Sequence, residues 1–458
     1  METVDAISAL SQYQSASRQS DDIVTEDAAA RRFAELFVGR LRYCHDTGAW
    51  FKWDGAVWRK SRTGEAFHWA RELARGLAAT QPEKARYVIS RTSFAAGVDK
   101  FARCDPAFAT TADYWDRDTF LLGTPGGTVD LKTGVLRSPQ PEEGITKSTA
   151  VAPGAQAECP IWHRFLDETT GGDTNLIRFL RQWAGYALTG DTREEALLFV
   201  YGPGGNGKTV FVNAIRGIMA EYAIVAPMDV FISSIFDRHP TDLAMMHGAR
   251  LVTASETEEG RQWAESRIKQ VTGGDPITAR FMRQNNFTFQ PQFKLTIIGN
   301  HKPALQNVND AQRRRFNLVQ FTRKPEAPDL LLEEKLRGEW PGILRWMIDG
   351  CLDWQTNGLR RPDSVLESTA AYFDDQDLFA QWLAEECDAE PGNPWKNATS
   401  SALFRSWQEF ALRAGEKPSS QKSFAAMMQQ RGFERKKGTN GVRLLLGVQL
   451  KPRSHQDY

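Results

Sequence analysis

Residues 197–210 read LLFVYGPGGNGKTV: an apolar run, then Gly202, four residues, and Gly207-Lys208-Thr209. The apolar Leu197 to Val200 predicts a buried parallel strand, and Val210, Phe211, Ala214, Ile215, Ile218 and Met219 recur at helical spacing, so the glycines fall between a strand and a helix. Gly202, Pro203, Gly204, Gly205, Asn206 and Gly207 then make a turn whose backbone N–H groups can face a polyphosphate. The helix N-terminus adds its positive end to the same place. In that setting Lys208 reaches the β- and γ-phosphates and the Thr209 hydroxyl ligates Mg²⁺, so ATP and Mg²⁺ are the expected cofactors. Lys208 is expected to contribute charge and no core packing.

The rest of the composition narrows the class. At 458 residues the chain exceeds what one core usually serves, and several domains are expected. Lys plus Arg and Asp plus Glu are both 57, so any surface for nucleic acid must be local. The five cysteines are scattered and odd in number, which reads as reduced core thiols in a reducing compartment and leaves a zinc ribbon unsupported. With no apolar h-region at the N-terminus and no run of membrane-spanning length, a cytoplasmic chain without a membrane partner is expected.

Along the chain, residues 1–25 are polar and predict a mobile arm. Residues 26–159 predict an α+β domain. It holds a helix from Ala28 to Leu41, a Trp-rich hairpin turning at Asp54-Gly55, helical patterns over 66–79 and 87–101, and a small β unit from Thr124 to Ser138. Asp116-Arg117-Asp118 reads as solvated surface, because it lacks the preceding strand that a catalytic carboxylate pair requires. Residues 160–190 predict a helical collar leading into the strand at Leu197, and Leu331 to Leu359 is helical again.

Three signals follow the glycine-rich turn. RLVTAS (250–255) predicts a second buried strand beside the first, and it ends in Glu256-Thr257-Glu258-Glu259. Carboxylates at the C-terminal tip of such a strand sit where Mg²⁺ and the attacking water need them. Glu256 takes the metal side and Glu258 polarises water, with Glu259 the spare; the alternative is a solvated acidic turn. KLTIIGN (294–300) is a third strand ending in Asn300, which can hold water or the γ-phosphate without adding negative charge. Between them, residues 272–293 predict a hairpin tipped by Arg283-Gln284-Asn285-Asn286, with Arg280 at its flank. This suits a phosphate backbone, or else is plain surface. Arg313-Arg314-Arg315 stand before FNLVQF (316–321), either as a solvated edge or as cations for a neighbouring subunit's γ-phosphate.

Taken together, GPGGNGKT, RLVTASETEEG, TGGDPITAR, KLTIIGNHKP and DAQRRRFNLVQF resemble the superfamily III helicases of phages and plasmids, in the branch labelled phage or plasmid primase with a pox-type N-terminal region. The resemblance implies an α/β fold with an AAA-like P-loop NTPase core (191–325) and a helical lid (326–375), assembled as a homo-oligomer, commonly a hexameric ring that moves along single-stranded DNA. It makes Glu256 and Glu258 the second nucleotide motif, Asn300 the sensor, residues 272–293 a DNA-touching hairpin, and Arg314 or Arg315 a finger acting in trans. Relatives often carry Trp where Arg313 stands. The residues before the collar lack a primase's zinc or carboxylate pattern, so primer synthesis is expected of a separate partner. A competing reading is a replication initiator or loader that uses ATP as an assembly switch.

At the C-terminus (376–458), two helical patterns precede ERKKGTNGVRLLLGV, which alternates around Asn440-Gly441. Two helices and a basic hairpin predict a winged-helix-like unit. Gln421, Lys422, Gln429, Gln430 and Arg431 would then face duplex DNA, and Arg435, Lys436, Lys437 and Arg443 would hold phosphates. A protein-binding role is the alternative.

Overall fold

The computed structural model of the chain describes residues 24–233, 241–256, 261–281, 285–305, 310–325, 327–415, 418, 420–438 and 442–452, with the backbone alone at Glu256. The predicted arm at 1–25 lies outside the described residues apart from Val24 and Thr25. Among the described residues no helix is long and apolar enough to cross a membrane.

The first helix, α1 (Glu26–Phe37), starts at Thr25, whose hydroxyl accepts from the Ala28 N–H. It ends short of Leu41, because Leu41 to Cys44 form β1 and pair with β2 (Ala49–Trp53). The hairpin from β2 to β3 (Trp58–Lys60) closes with the Asp54 carboxylate accepting from the N–H groups of Ala56 and Val57, both at 2.8 Å. Trp50 and Trp58 are buried, and Trp50 Nε1 donates to Asp99 at 2.9 Å, so these two indoles serve the core. The single helical region expected at 87–101 is two helices. After α2 (Glu65–Ala79) come α3 (Glu83–Ile89) and α4 (Thr92–Cys104), broken where Arg91 turns extended to cap α4. β4 (Ala109–Thr110) joins the sheet in the order β3-β2-β1-β4.

A second small sheet, β5 (Leu121–Thr124), β6 (Gly127–Asp130) and β7 (Val135–Arg137), packs Leu122 and Val129 into the main core. Asp116 departs from the solvated reading. It is half-buried, and its carboxylate accepts from the Thr146 N–H at 2.9 Å and from the Thr146 hydroxyl, fixing the loop before β5. Among the cysteines Cys104 is exposed and the other four are buried, so four of the five are core thiols.

The centre is a five-stranded, wholly parallel sheet in the order β14-β8-β13-β10-β9. Its strands are β8 (Leu197–Tyr201), β9 (Ala223–Val225), β10 (Leu251–Glu256), β13 (Lys294–Gly299) and β14 (Phe316–Gln320). Leu198 and Val200 face α5 (Pro160–Thr170), α6 (Thr174–Leu188) and α7 (Lys208–Met219), while Leu197 and Phe199 face the second core cluster on the other side. Burial on both faces explains why LLFV is continuous rather than alternating. At the N-terminal ends of the strands two buried cations fasten the collar. Arg250 donates to the Leu188 and Leu121 carbonyls at 2.7 and 2.8 Å. Lys294 donates to the carbonyls of Thr189 and Asp191 under the Tyr186 ring, and burial holds its pKa well below the usual lysine range.

The short helices α8 (Thr241–Ala244), α9 (Glu265–Thr272) and α10 (Asp310–Arg315) and the hairpin of β11 (Ile277–Ala279) with β12 (Phe287–Phe289) lie along the connections between strands. α11 (Leu332–Asn357) and α12 (Asp363–Gln376) follow the sheet. The chain then builds a last core of its own from Phe379, Trp382, Trp407, Phe424, Met428 and Leu445. Around it stand α13 (Leu378–Glu386), β15 (Cys387–Ala389), β16 (Asn397–Thr399), α14 (Ser400–Arg413), α15 (Gln421–Gln430), β17 (Arg435–Lys437), β18 (Arg443–Leu446) and β19 (Val448–Leu450). β16, β18 and β17 form one antiparallel sheet, and β15 pairs with β19.

Candidate functional site

The stretch LLFVYGPGGNGKTV folds as strand, loop and helix, and the loop lies at the C-terminal end of β8. Gly202 has φ of +146° and faces the Phe321 carbonyl, which occupies the space a side chain would need. Gly207, at φ +85°, is pressed by α5: a Cβ there would stand 2.7 Å from Phe165 and 2.8 Å from Thr169. α7 begins at once with Lys208 and has no side-chain cap, so its first N–H groups stay free for an anion. Pro203, Gly204, Gly205 and Thr209 are exposed along the rim, and Cβ positions built on Gly204 and Gly205 meet nothing within 4 Å. An open cradle of uncapped N–H groups with an exposed hydroxyl at its edge fits a Mg²⁺-bound polyphosphate.

Lys208 does more than the sequence suggests. It is only 6% exposed, and its ammonium donates to the Gly202 carbonyl at 2.6 Å, to Asn206 Oδ1 at 2.9 Å and to the Pro203 carbonyl at 3.1 Å. Asn206, itself buried, donates through Nδ2 to the Phe321 carbonyl and ties the loop to the end of β14. Lys208 therefore ties the loop together through these three bonds, a role beyond the charge expected of it. Burial and the nearby Lys324 lower its pKa.

The second expected strand does not neighbour the first. β13 is inserted between β8 and β10, with Tyr201, Gly299 and Glu256 aligned in one row across the three strands. Sequence order does not set sheet order: the chain leaves β10 through the β11–β12 hairpin and returns into the gap. Glu256, the last residue of β10, thus stands two strand spacings, about 10 Å, from the end of β8. Asn300 is exposed immediately beyond β13, beside the loop strand. The Glu256 side chain, Glu258 and Glu259 lie outside the described residues. Among the described residues no cluster of His, Cys, Asp and Glu could hold a metal.

The three arginines are on α10, at the N-terminal end of β14. β14 runs parallel to β8, so they sit a strand length of roughly 17 Å from their own loop. Arg313 pairs with Asp374 at 2.7 Å, and Arg315 pairs with Glu195 and donates to the Ala311 carbonyl, at 2.6 and 2.7 Å. Arg314 is exposed and among the described residues makes no ion pair.

The hairpin is rooted by Ile277, Ala279 and Phe289 in the core, with His247 edge-on to Phe287 and Phe289. Arg280, Asn285 and Asn286 are exposed towards its tip, while Arg283 and Gln284 lie outside the described residues. In the C-terminal unit Gln421, Lys422, Gln429, Gln430, Arg435, Lys436, Lys437 and Arg443 are all exposed. Lys437 faces Arg443 directly across the β17–β18 pair, a like-charge juxtaposition that destabilises a bare hairpin and favours an anion over it. The turn at Asn440-Gly441 lies outside the described residues. Arg431 is not available as expected. It donates to the Asp377 carboxylate at 2.8 and 2.9 Å and stacks on Phe379, pinning the end of α15. Changing Arg435, Lys436 and Lys437 together to Ala is expected to weaken duplex binding by the full chain. It should lower the slope of log affinity against log salt by at most about three contacts, read by fluorescence anisotropy across a salt series.

Comparison with known proteins adds an independent line. Residues 30–171 match the family described as D5 N terminal like, and residues 200–315 match a family of unknown function, DUF5906. The chain is 24% identical over 308 residues to the "Putative helicase L207/L206" of Acanthamoeba polyphaga mimivirus, covering 61% of this chain and 32% of that protein. It is 23% identical over 257 residues to the "Putative helicase 022R" of Frog virus 3 (isolate Goorha), covering 51% and 26%. The chain spans about a third of the first relative's length and about a quarter of the second's. Its fold is similar to the apo structure of the NrS-1 C terminal region (305-718), with a TM-score of 0.52 at 10% identity, covering 94% of this chain and all of that one. By these matches residues 30–171 are similar to the D5 N terminal like family, and the chain is similar in sequence to two viral proteins named putative helicases.

Proposed function

We propose that the chain is the ATP-driven motor of a superfamily III type DNA helicase with an AAA-like P-loop core, working in replication as a ring of identical subunits. The observation that carries this reading is one juxtaposition. A lysine-bearing loop with an uncapped helix lies at the C-terminal edge of a parallel sheet, with Glu256 and Asn300 ending neighbouring strands on that edge and a hairpin inserted between them. A mere anion site needs the loop alone.

In this reading the free N–H groups of α7 and the loop bind the phosphates, and the Lys208 ammonium leaves the Gly202 and Pro203 carbonyls to pair with the β- and γ-oxygens. Thr209 and Glu256 would hold Mg²⁺, which when bound neutralises charge building between those oxygens. Glu258 polarises the attacking water and Asn300 orients it. Arg314 of one subunit serves the γ-phosphate of its neighbour, since its own loop is out of reach. Arg280, Arg283 and Gln284 on the hairpin follow the single strand, and the basic C-terminal hairpin with Lys422 contacts duplex.

Glu256→Gln is expected to weaken Mg²⁺-nucleotide binding, whereas Glu258→Gln should keep binding and stop turnover, as measured by equilibrium binding beside phosphate release. Equal, mild effects would assign the acidic turn to the solvated surface. Unwinding of a forked duplex tests the whole proposal: strand separation is expected with ATP and none with a non-hydrolysable analogue. ATP binding without strand separation would favour a switch-type loader.

A further inference from the structure

α7 and the start of α11 enclose a cleft of about 170 Å³. One water needs roughly 10–15 Å³, so the cleft is no packing gap. Val210, Asn213 and Gly217 of α7 form one wall and Glu333, Arg337 and Trp340 of α11 the other, each set three or four residues apart and so on one helix face. Val210 lies in the uncapped first turn of α7, so the cleft opens beside the N–H groups that face the loop's anion site. At 1.5 Å of rise per residue, its α7 wall runs about 10 Å from there to Gly217. Asn213 Nδ2 donates to Glu333 Oε1 at 3.1 Å, and Arg216 donates to Asn213 Oδ1 at 2.9 Å, which sets the orientation of the amide. Glu333 is exposed and among the described residues makes no ion pair, so its carboxylate keeps capacity to accept further hydrogen bonds. At the far end Gly217 stands mid-helix, where glycine weakens a helix, and a Cβ there would be 2.7 Å from Trp340 Cζ2. The half-buried indole thus closes that end of the cleft against bare backbone.

We propose that this cleft is the nucleoside subsite of the phosphate loop, with Glu333 accepting from the ribose hydroxyls and the base stacking on Trp340, and that Glu333 selects ribonucleotides over deoxyribonucleotides. This rests on the nucleotide reading above. The order along α7 carries it: first-turn N–H groups for the phosphates, a carboxylate held one turn on by Asn213, and an aromatic ring one turn further at Gly217. That is the order of the parts of a nucleotide. A ribose 2′-hydroxyl donates to a carboxylate, and a 2′-deoxyribose lacks that donor.

The test is titration calorimetry on the full chain with Mg²⁺ and three probes: a slowly hydrolysed ATP analogue, its 2′-deoxy counterpart, and inorganic tripolyphosphate, which fills the loop alone. One charge-assisted bond predicts that the parent binds the ribo form about tenfold more tightly than the deoxy form. Glu333→Ala should abolish that preference while binding tripolyphosphate no more weakly than the parent. Trp340→Ala should weaken the ribo and deoxy forms alike, by about ten- to a hundredfold, and spare tripolyphosphate. Equal affinity of the parent for the two sugars, or a preference that survives Glu333→Ala, overturns the proposal; the nucleotide reading then stands as long as Lys208→Ala is defective. Loss of tripolyphosphate binding in Glu333→Ala would give that residue a structural role and overturn it too. If the parent binds none of the three probes, both readings fail.

Discussion

Arg314→Ala is expected to lower ATP turnover by about 10³–10⁵-fold, the range an arginine finger contributes, with ATP binding retained. The choice of Arg314 comes from what its neighbours do. Arg315 is engaged with Glu195 and the Ala311 carbonyl and Arg313 with Asp374, whereas Arg314 projects from α10 and makes no ion pair among the described residues. All three stand at the far end of β14 from their own loop, so a catalytic role requires a neighbouring subunit. Mixing inactive Arg314→Ala protein with inactive Lys208→Ala protein should therefore restore measurable hydrolysis, because some mixed interfaces pair an intact loop with an intact arginine. Arg315→Ala should instead lower the melting temperature by removing a half-buried pair. No rescue in mixtures that still assemble would place the finger elsewhere.

Lys208→Ala is expected to abolish ATP hydrolysis and to weaken ATP binding more than a hundredfold, since at least two charge-assisted bonds of roughly 1.5–3 kcal/mol each are lost. The hydrogen bonds of Lys208 add a second consequence. With the ammonium gone, the Gly202 and Pro203 carbonyls and Asn206 Oδ1 lose their shared donor, so the loop should loosen even without nucleotide. Hydrogen exchange at residues 202–207 should rise in the variant, while exchange in the C-terminal core around Trp382 stays as in the parent. Parent-like turnover would remove the nucleotide site from the account.

What could be read in advance was local. The glycine-rich loop lies within fourteen consecutive residues, and its flanks carry their own periodicity, so strand, turn and helix follow from neighbours alone. The β2–β3 hairpin at Asp54-Gly55 was equally legible, because its turn is fixed by one aspartate bonding the next residues. The misreadings concern partners far apart in the chain. That β13 separates β8 from β10 depends on where a strand inserts after a long excursion, which periodicity does not encode. The Arg431 ion pair with Asp377 spans 54 residues, and the Asp116 bond to Thr146 spans 30. α10 was not anticipated, because DAQRRR has no apolar stripe to announce a helix, and none of its residues is buried. The bonds from Lys208 to Gly202, Pro203 and Asn206 were missed because the motif specifies what the lysine does with phosphate and not what it does within the loop.

The most direct test of the central claim is steady-state ATP hydrolysis by the full chain with and without single-stranded DNA, run beside an Arg283→Ala variant. A motor driven along DNA predicts hydrolysis that rises on adding single strand, with basal turnover unchanged and the stimulation reduced in the variant. Hydrolysis indifferent to DNA in the parent chain would contradict the account.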